Sequence, residues 1–444
     1  MRKYSHDTIV RVRLRHRPGQ FAHLASAIAD AHSLVGEIST VSIGENDTVR
    51  DVTIETDDEA HTARVLDVIR ALPEIELIST TDRVFEAHRG GKLHTTSRSK
   101  IENLSDLRYI YTPGVARVAL ALQRDPDLAW DFTGIATSVG IFTNGTRVLG
   151  LGNIGPLASL PVMEGKAALY DRFAGISATP ILINTLDPAE FIETVMRTST
   201  GFGGIHLEDI RMPDCFRIEE ELAARLPKPV MHDDQWGTAT VALAAILNAC
   251  KLTGVDFKSS RVGQIGLGAA GSAIARTALS YGAREVLVSD LSIEACDRMR
   301  TFGASITDMA TIMRESDIVV ATTGRPGLIR PEMVRRGQVI FALSNPDAEI
   351  NPDVAVAAGA AYAGDGRSIN NALAFPGIFR GALDVRASKI TPEMRLAAAE
   401  AIAAHAEPGD LVPNPLDLRV HAAVRRAVSD MAREQGLANT AKLV

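Results

Sequence analysis

The chain has 444 residues, 46% hydrophobic and 23% charged, a balance that suits a soluble globular protein with apolar material for more than one core. Its formal net charge of −7 argues against a nucleic-acid binder, no apolar run reaches the length of a membrane span, and the N-terminus lacks the apolar stretch of a secretion signal. Cys215, Cys250 and Cys296 are scattered without paired spacing, so buried thiols in a reducing, cytoplasmic setting are expected rather than a disulfide or zinc framework.

Residues 1–88 read as a separate module. Val10, Val12 and Leu14 alternate with Arg11 and Arg13, as on a strand, and Arg17-Pro18-Gly19 breaks it. Phe21, Leu24 and Ile28 then recur at helical spacing. Short strands are expected over 38–43 and 49–54, a helix carries Val65, Leu66, Ile69 and Leu72, and a last strand covers 75–85. The order β-α-β-β-α-β is that of a split βαβ sandwich, a ferredoxin-like fold. Residues 89–100, rich in Gly, Ser, Thr and basic side chains, read as a linker.

From Ile101 onward Ala-rich helices alternate with short Val/Ile/Leu runs at 181–183, 261–265, 285–288, 317–320 and 338–342. Such alternation implies an α/β fold with parallel sheets covered by helices. The final 60 or so residues are mostly helical, with a Pro-rich break at 408–415.

Two segments match G-x-G-x-x-G, and their context separates them. Gly266, Gly268 and Gly271 follow a predicted strand and open an Ala-rich helix; Asp290 ends the next strand, 24 positions after Gly266. That is the place of a carboxylate that binds ribose hydroxyls, while small residues, Ala269 and Ala270 included, let the backbone approach a pyrophosphate at a helix N-terminus. This segment is read as a Rossmann-type dinucleotide site. Asp290 favours NAD; Arg298 and Arg300 leave NADP open. Gly150, Gly152 and Gly155 are followed by Pro156 and a lysine-bearing segment, with no strand ending in an acid at the right distance. They are expected to form a tight turn shaping a substrate pocket, not a simple crossover.

Glu208-Asp209 and Asp233-Asp234 each follow a strand-like segment, 203–207 and 229–231, and are expected at the carboxyl ends of neighbouring parallel strands. Carboxylates converging there would repel one another unless joined by a cation, and all-oxygen ligation suits Mg²⁺ or Mn²⁺. Surface acids at loop ends, or N-terminal capping by Asp233-Asp234, are the rival readings.

Beyond these features, blocks over about 90–440 resemble the malic enzyme family of bacterial type. They are Tyr111-Thr-Pro-Gly-Val-Ala116, Asn144-Gly-Thr-Arg-Val-Leu-Gly-Leu-Gly152, Pro161-Val-Met-Glu-Gly-Lys166, Gly204-Ile-His-Leu-Glu-Asp209, His232-Asp-Asp-Gln-Trp-Gly-Thr-Ala239, Phe341-Ala-Leu-Ser-Asn-Pro346 and Asn370-Asn-Ala-Leu-Ala-Phe-Pro376. The first 88 residues resemble, more loosely, an ACT domain, a regulatory module that often binds amino acids. The resemblance implies a substrate and metal domain over 101–235, a dinucleotide domain over 236–385 and packing helices over 386–444.

The resemblance also implies roles. Glu208, Asp209 and Asp234 match metal ligands, Lys166 the general base, Tyr111 the acid that protonates enolpyruvate, and Asp233 a partner orienting Lys166 or the metal ligands. Arg147 matches the side chain that pairs with a substrate carboxylate; Asn345 and Asn371 match groups near substrate and nicotinamide, and Thr238 and Thr323 fall with the cofactor. The implied activity is oxidative decarboxylation of L-malate to pyruvate, in a homodimer or higher homo-oligomer, with a small-metabolite effector at the N-terminal module. A malolactic-type enzyme retaining NAD, or an ACT-based sensor with a degenerate body, are the alternatives. Position 236 carries Trp where relatives usually carry a smaller polar residue, which would narrow the site or mark a subunit contact.

Overall fold

The computed structural model describes residues 6–148, 150–344 and 346–439 and divides into two compact units, Met1–His94 and Thr95–Val444. In the first, β1 (His6–Arg15), a helix (Gln20–Asp30), β2 (Leu34–Ile43), β3 (Asp47–Thr56), a second helix (Glu59–Arg70) and β4 (Ile75–Asp82) follow one another. The sheet order is β2-β3-β1-β4 with antiparallel neighbours, the split βαβ arrangement. The alternation in β1 works as expected: Val10, Val12 and Leu14 are buried against Leu24, Ile28, Val65 and Ile69. Gly19, at φ 88°, turns the chain into the first helix from a left-handed conformation that favours glycine. The last strand stops at Asp82 rather than running on to 85. The Asp82 carboxylate accepts from the backbone N–H groups of Val84 and Phe85 and caps a short helix, Arg83–His88, leaving Phe85 exposed.

The second unit holds two parallel sheets. One contains β5 (Ser138–Thr143), β6 (Ser177–Leu182), β7 (Gly204–Leu207) and β8 (Val230–His232) in the order β6-β5-β7-β8. The other contains β9 (Arg261–Ile265), β10 (Glu285–Ser289), β11 (Ser305–Ile306), β12 (Ile318–Ala321), β13 (Val339–Ala342) and β14 (Tyr362–Asp365). Its order, β11-β10-β9-β12-β13-β14, reverses between β9 and β12, the switch point at which doubly wound sheets hold ligands.

The helix Asp233–Thr253 starts directly from β8 and is buried over most of its surface. It runs uninterrupted through 235/236, packs on helices Ala269–Tyr281 and Pro392–Ala404, and contributes to a core that also takes in Met163, Tyr170, Val262, Phe341 and Phe375. The C-terminal helices Pro392–Ala404 and Leu418–Glu434 pack on each other and on helix Phe375–Asp384. All three cysteines are free and buried. Among the described residues no helix is long and apolar enough to cross a membrane.

The earlier glycine segment requires a correction. Its tight turn is present: Val148 bridges to Gly152, and Gly150, Gly152 and Gly155 all have positive φ. It nevertheless leads into a crossover, because helix Gly155–Ala174 carries the chain from β5 to its parallel neighbour β6. Pro156 sits in the first turn of that helix, where no N–H is required.

Candidate active site

The two acidic pairs lie at one corner. Strands β7 and β8 are parallel neighbours that end in register, Leu207 opposite His232, so Glu208-Asp209 and Asp233-Asp234 emerge side by side. Asp209 adopts φ 55°; its backbone N–H donates to Asp234 Oδ2 at 2.9 Å and its carbonyl accepts from Arg147 N at 3.0 Å. One carboxylate oxygen each from Glu208, Asp209 and Asp234 lie within 4.8 Å of one another. Burial pushes Glu208 up to about 8, with the Asp234 charge adding to it against Lys166, and Asp209 up to about 9, with Glu208 and Asp234 adding to it. Asp209 Oδ2 is buried without a hydrogen-bond partner. Oxygens crowded this way, one of them unsatisfied, fit a hard divalent cation. The capping alternative is not realised, since no side chain caps helix Asp233–Thr253.

Lys166 reaches this corner from the buried face of helix Gly155–Ala174. Its Nζ pairs with Glu208 Oε1 at 3.2 Å, donates to Asp233 Oδ2, and lies 4.7 Å from the centre of the Phe375 ring. Burial alone would lower the pKa of the ammonium group, but Asp233, Glu208 and Asp234 outweigh it and raise the pKa. Asp233 is fully buried, and its Oδ2 also accepts from Asn371 Nδ2 at 2.6 Å. Burial lifts Asp233 to about 6 against the opposing charge of Lys166. Gly237 makes room for it, since a Cβ there would lie 1.9 Å from Asp233 Oδ1.

Two further residues belong to this cluster. His206 Nε2 lies 2.5 Å from Glu208 Oε2, and Tyr170 OH lies 2.8 Å from His206 Nδ1. Burial lowers His206 to about 4, which favours the neutral ring, placed between the phenol and the carboxyl group. Their signal was periodicity: His206 and Glu208 are two apart at a strand end, Lys166 and Tyr170 four apart on a helix.

The second glycine segment forms the expected cradle. Gly266 has φ 89°, and a Cβ at Gly271 would lie 2.0 Å from Gly266 O and 2.5 Å from Thr322 Oγ1, so loop, helix and β12 meet closely. A Cβ at Gly268 would meet nothing within 4 Å, which marks the open side of the loop, and Ala269 and Ala270 begin the helix. Asp290 Oδ2 accepts from Leu267 N at 2.6 Å and Oδ1 from Ser292 N at 2.8 Å. Arg300 pairs with Asp297 and Arg298 lies over the Phe216 ring. Thr323 donates through both N and Oγ1 to Glu349 Oε1, at 2.6 and 2.8 Å, and Ser344 Oγ donates to the same oxygen at 2.5 Å. Glu349, missed in the sequence, therefore ties together the loops after β12 and β13. Thr238 is half-buried one turn after Asp234. Asn345 lies outside the described residues.

Tyr111 and Arg147 are placed differently. Arg147 is exposed beside the acidic corner, fixed by its backbone bond to Asp209. Tyr111 ends the short helix Leu104–Ile110 with 65% of its surface exposed, and among the described residues no hydrogen bond or ring contact joins it to the Lys166 cluster. Its surroundings are exposed too: Leu104, Tyr109 and Phe132 point to solvent, and helix Gly114–Arg124 buries no residue. Trp236 is buried, donating Nε1–H to Glu219 Oε2 at 2.9 Å.

A doubly wound sheet with a glycine cradle at its switch point defines a dinucleotide-linked oxidoreductase fold. Family models agree in detail: the malic enzyme N-terminal domain matches residues 90–188, the malic enzyme NAD-binding domain 297–420, and the NAD-binding domain of D-isomer specific 2-hydroxyacid dehydrogenases 231–325. The NAD-dependent malic enzyme 1 of Bacillus subtilis is 51% identical over 417 residues, 94% of this chain and 95% of the relative. The bifunctional malic/malolactic enzyme of the same organism is 43% identical over 78% of this chain and 91% of its own length. The crystal structure of malic enzyme from Pyrococcus horikoshii superposes with a TM-score of 0.77 at 39% identity, covering 81% of this chain and 92% of that one. The chain belongs to the malic enzyme family.

Proposed function

We propose that the protein oxidises L-malate at C2 with NAD⁺ and releases CO₂ and pyruvate. The observation that carries this reading is the buried Lys166, held between Asp233 and Glu208 at the edge of a three-carboxylate corner. Arg147 is assigned to a substrate carboxylate, for which its planar fork is suited. Lys166, aligned by Asp233 and Asn371, would take the C2 hydroxyl proton, and a dinucleotide in the glycine cradle would supply the hydride acceptor. Loss of the C4 carboxylate as CO₂ leaves enolpyruvate, and Tyr111 is assigned to its protonation at C3. Glu208, Asp209 and Asp234 would hold a divalent cation, whose charge would favour the neutral lysine amine and polarise substrate oxygen.

Asp290 supports NAD over NADP, because a carboxylate repels a 2′-phosphate and no arginine contact to it offsets that charge among the described residues. A chain copy seated on the apolar segment around Leu104, Tyr109 and Phe132 is the arrangement we assign to a homodimer, and it gives Tyr111 a route to a substrate. We assign the N-terminal module to the ACT type, with a small metabolite bound near His16–Gln20, where Gln20 Oε1 is buried without a partner. A malolactic reading is kept in view by the bifunctional relative. The deciding assay incubates the purified chain with L-malate, Mn²⁺ and NAD⁺ or NADP⁺ in parallel. Pyruvate with free reduced dinucleotide supports the proposal, lactate without it supports the malolactic reading, and no turnover of malate refutes both.

A further inference from the structure

Outside the catalytic cluster, helices Asp233–Thr253, Ala269–Tyr281 and Pro392–Ala404 meet around Trp236. Two guanidinium groups lie over this one indole, Arg276 at 4.8 Å and Arg395 at 3.8 Å from its ring. With Thr277 and Ser280 they line a small recess. Like charges against one ring repel each other, and stacking offsets only part of that. Burial lowers Arg395 to about 10 and shifts Arg276 in the same direction.

The carboxylate whose charge acts on both arginines, Glu219, is already engaged: it accepts from His232 N at 2.8 Å and from Gln235 Nε2 and Trp236 Nε1 at 2.9 Å each. Among the described residues neither arginine has a carboxylate within ion-pair distance, and neither hydroxyl has a hydrogen-bond partner. Arg276 also lies 4.0 Å from the centre of the Phe302 ring, and the recess thus brings together two partly desolvated guanidinium groups without a carboxylate partner, the Thr277 hydroxyl and the exposed Ser280 hydroxyl. Two guanidinium groups and two hydroxyls around one recess form a donor set that an oxyanion complements.

We propose that this recess is a binding site for a small oxyanion, a phosphate or a carboxylate group, clamped between Arg276 and Arg395 and hydrogen-bonded by Thr277 and Ser280. The guanidinium forks match the paired oxygens of either group. Its test needs no malate turnover.

The full chain, saturated with NAD⁺ so that the glycine loop is filled, is titrated calorimetrically at constant ionic strength with inorganic phosphate in one arm and acetate in the other. Saturable binding in one arm identifies the group. Arg276→Gln and Arg395→Gln are each expected to weaken it by about 10-fold or more. Ser280→Ala, at an exposed helix position that leaves the stacking intact, is expected to weaken it a few-fold, so the proposal stays testable if an arginine variant fails to fold. The bound anion also raises the melting temperature of the wild type more than that of Arg395→Gln. Absence of saturable binding in both arms, or binding unchanged in Ser280→Ala and in whichever arginine variants fold, overturns it.

Discussion

Asn371 and Asp233 stand 138 positions apart in the chain, yet the Asn371 amide donates to Asp233 Oδ2 at 2.6 Å, on the oxygen that also receives Lys166. The amide thereby holds the carboxylate in the orientation that presents the lysine. Asn371→Ala is expected to lower kcat about 10–100-fold, as losses of orienting partners commonly do. NAD⁺ affinity, measured by fluorescence titration, should stay within a few-fold of wild type. A kcat equal to wild type would show that Asp233 needs no such support.

The acidic corner predicts a metal requirement. Asp234→Ala removes one of three converging carboxylates and the acceptor for Asp209 N–H. Mn²⁺ binding, followed by electron paramagnetic resonance, should weaken at least about 100-fold, and malate oxidation should vanish. Dinucleotide binding should persist, because the glycine loop lies on a different sheet. Unaltered Mn²⁺ affinity would remove Asp234 from the ligand set.

Gly237 is a packing test of the same corner. A methyl group there would lie 1.9 Å from Asp233 Oδ1 and 3.3 Å from Asn371 Cβ. Gly237→Ala is expected to destabilise the fold by about 1–3 kcal/mol in urea denaturation and to reduce kcat, since Asp233 has to move. Wild-type stability together with wild-type kcat would mean that the pocket relaxes freely.

Cofactor choice turns on Asp290. Replacing it with serine removes the charge that opposes a 2′-phosphate, and the ratio of kcat/KM for NADP⁺ to that for NAD⁺ should rise by about 10-fold or more. The variant should also lose some stability, because Leu267 N and Ser292 N lose a carboxylate acceptor. A ratio that does not move would place discrimination elsewhere.

The exposed segment around Tyr111 yields a paired prediction. Leu104 is 85% exposed, and Leu104→Asp puts a charge where a second copy would seat. Analytical ultracentrifugation should show self-association weakened by about 10-fold or more, with turnover falling in step. Tyr111→Phe should leave association intact while slowing protonation of enolpyruvate. A monomeric Leu104→Asp enzyme with full activity would separate Tyr111 from any subunit contact.

Much of this site was legible because its parts are local. Gly266–Gly271 with Asp290, and the two acidic pairs after short apolar runs, are patterns of spacing each within one βαβ unit. The residues that complete it are not local. Glu349 binds Thr323 and Ser344 across two loops, and Tyr170 reaches His206 across 36 positions, so no window of periodicity reveals either contact. The segment after Gly155 misled in the other direction: expected not to be a simple crossover, it is the helix that joins two parallel strands, with Pro156 in the turn that tolerates it. At Asp82 a capping carboxylate overrode the apolar run that seemed to extend the strand to Phe85. Trp236, weighed as a wall of the site or a subunit contact, is instead fixed to Glu219 within the helix packing.

The helix that starts at Asp233 has a mechanical consequence. Its 21 residues form a rod about 30 Å long, with the acidic pair at its head and the helix of the glycine loop packed along its flank. Proline is absent from it, and its sides are buried against both halves of the unit. The acidic corner and the dinucleotide cradle are thus mounted on one strut, and their separation is set by side-chain packing rather than by a hinge. Hydride transfer needs the reacting atoms held about 3–3.5 Å apart, and a shared buried helix couples the positions of the two platforms that would carry them.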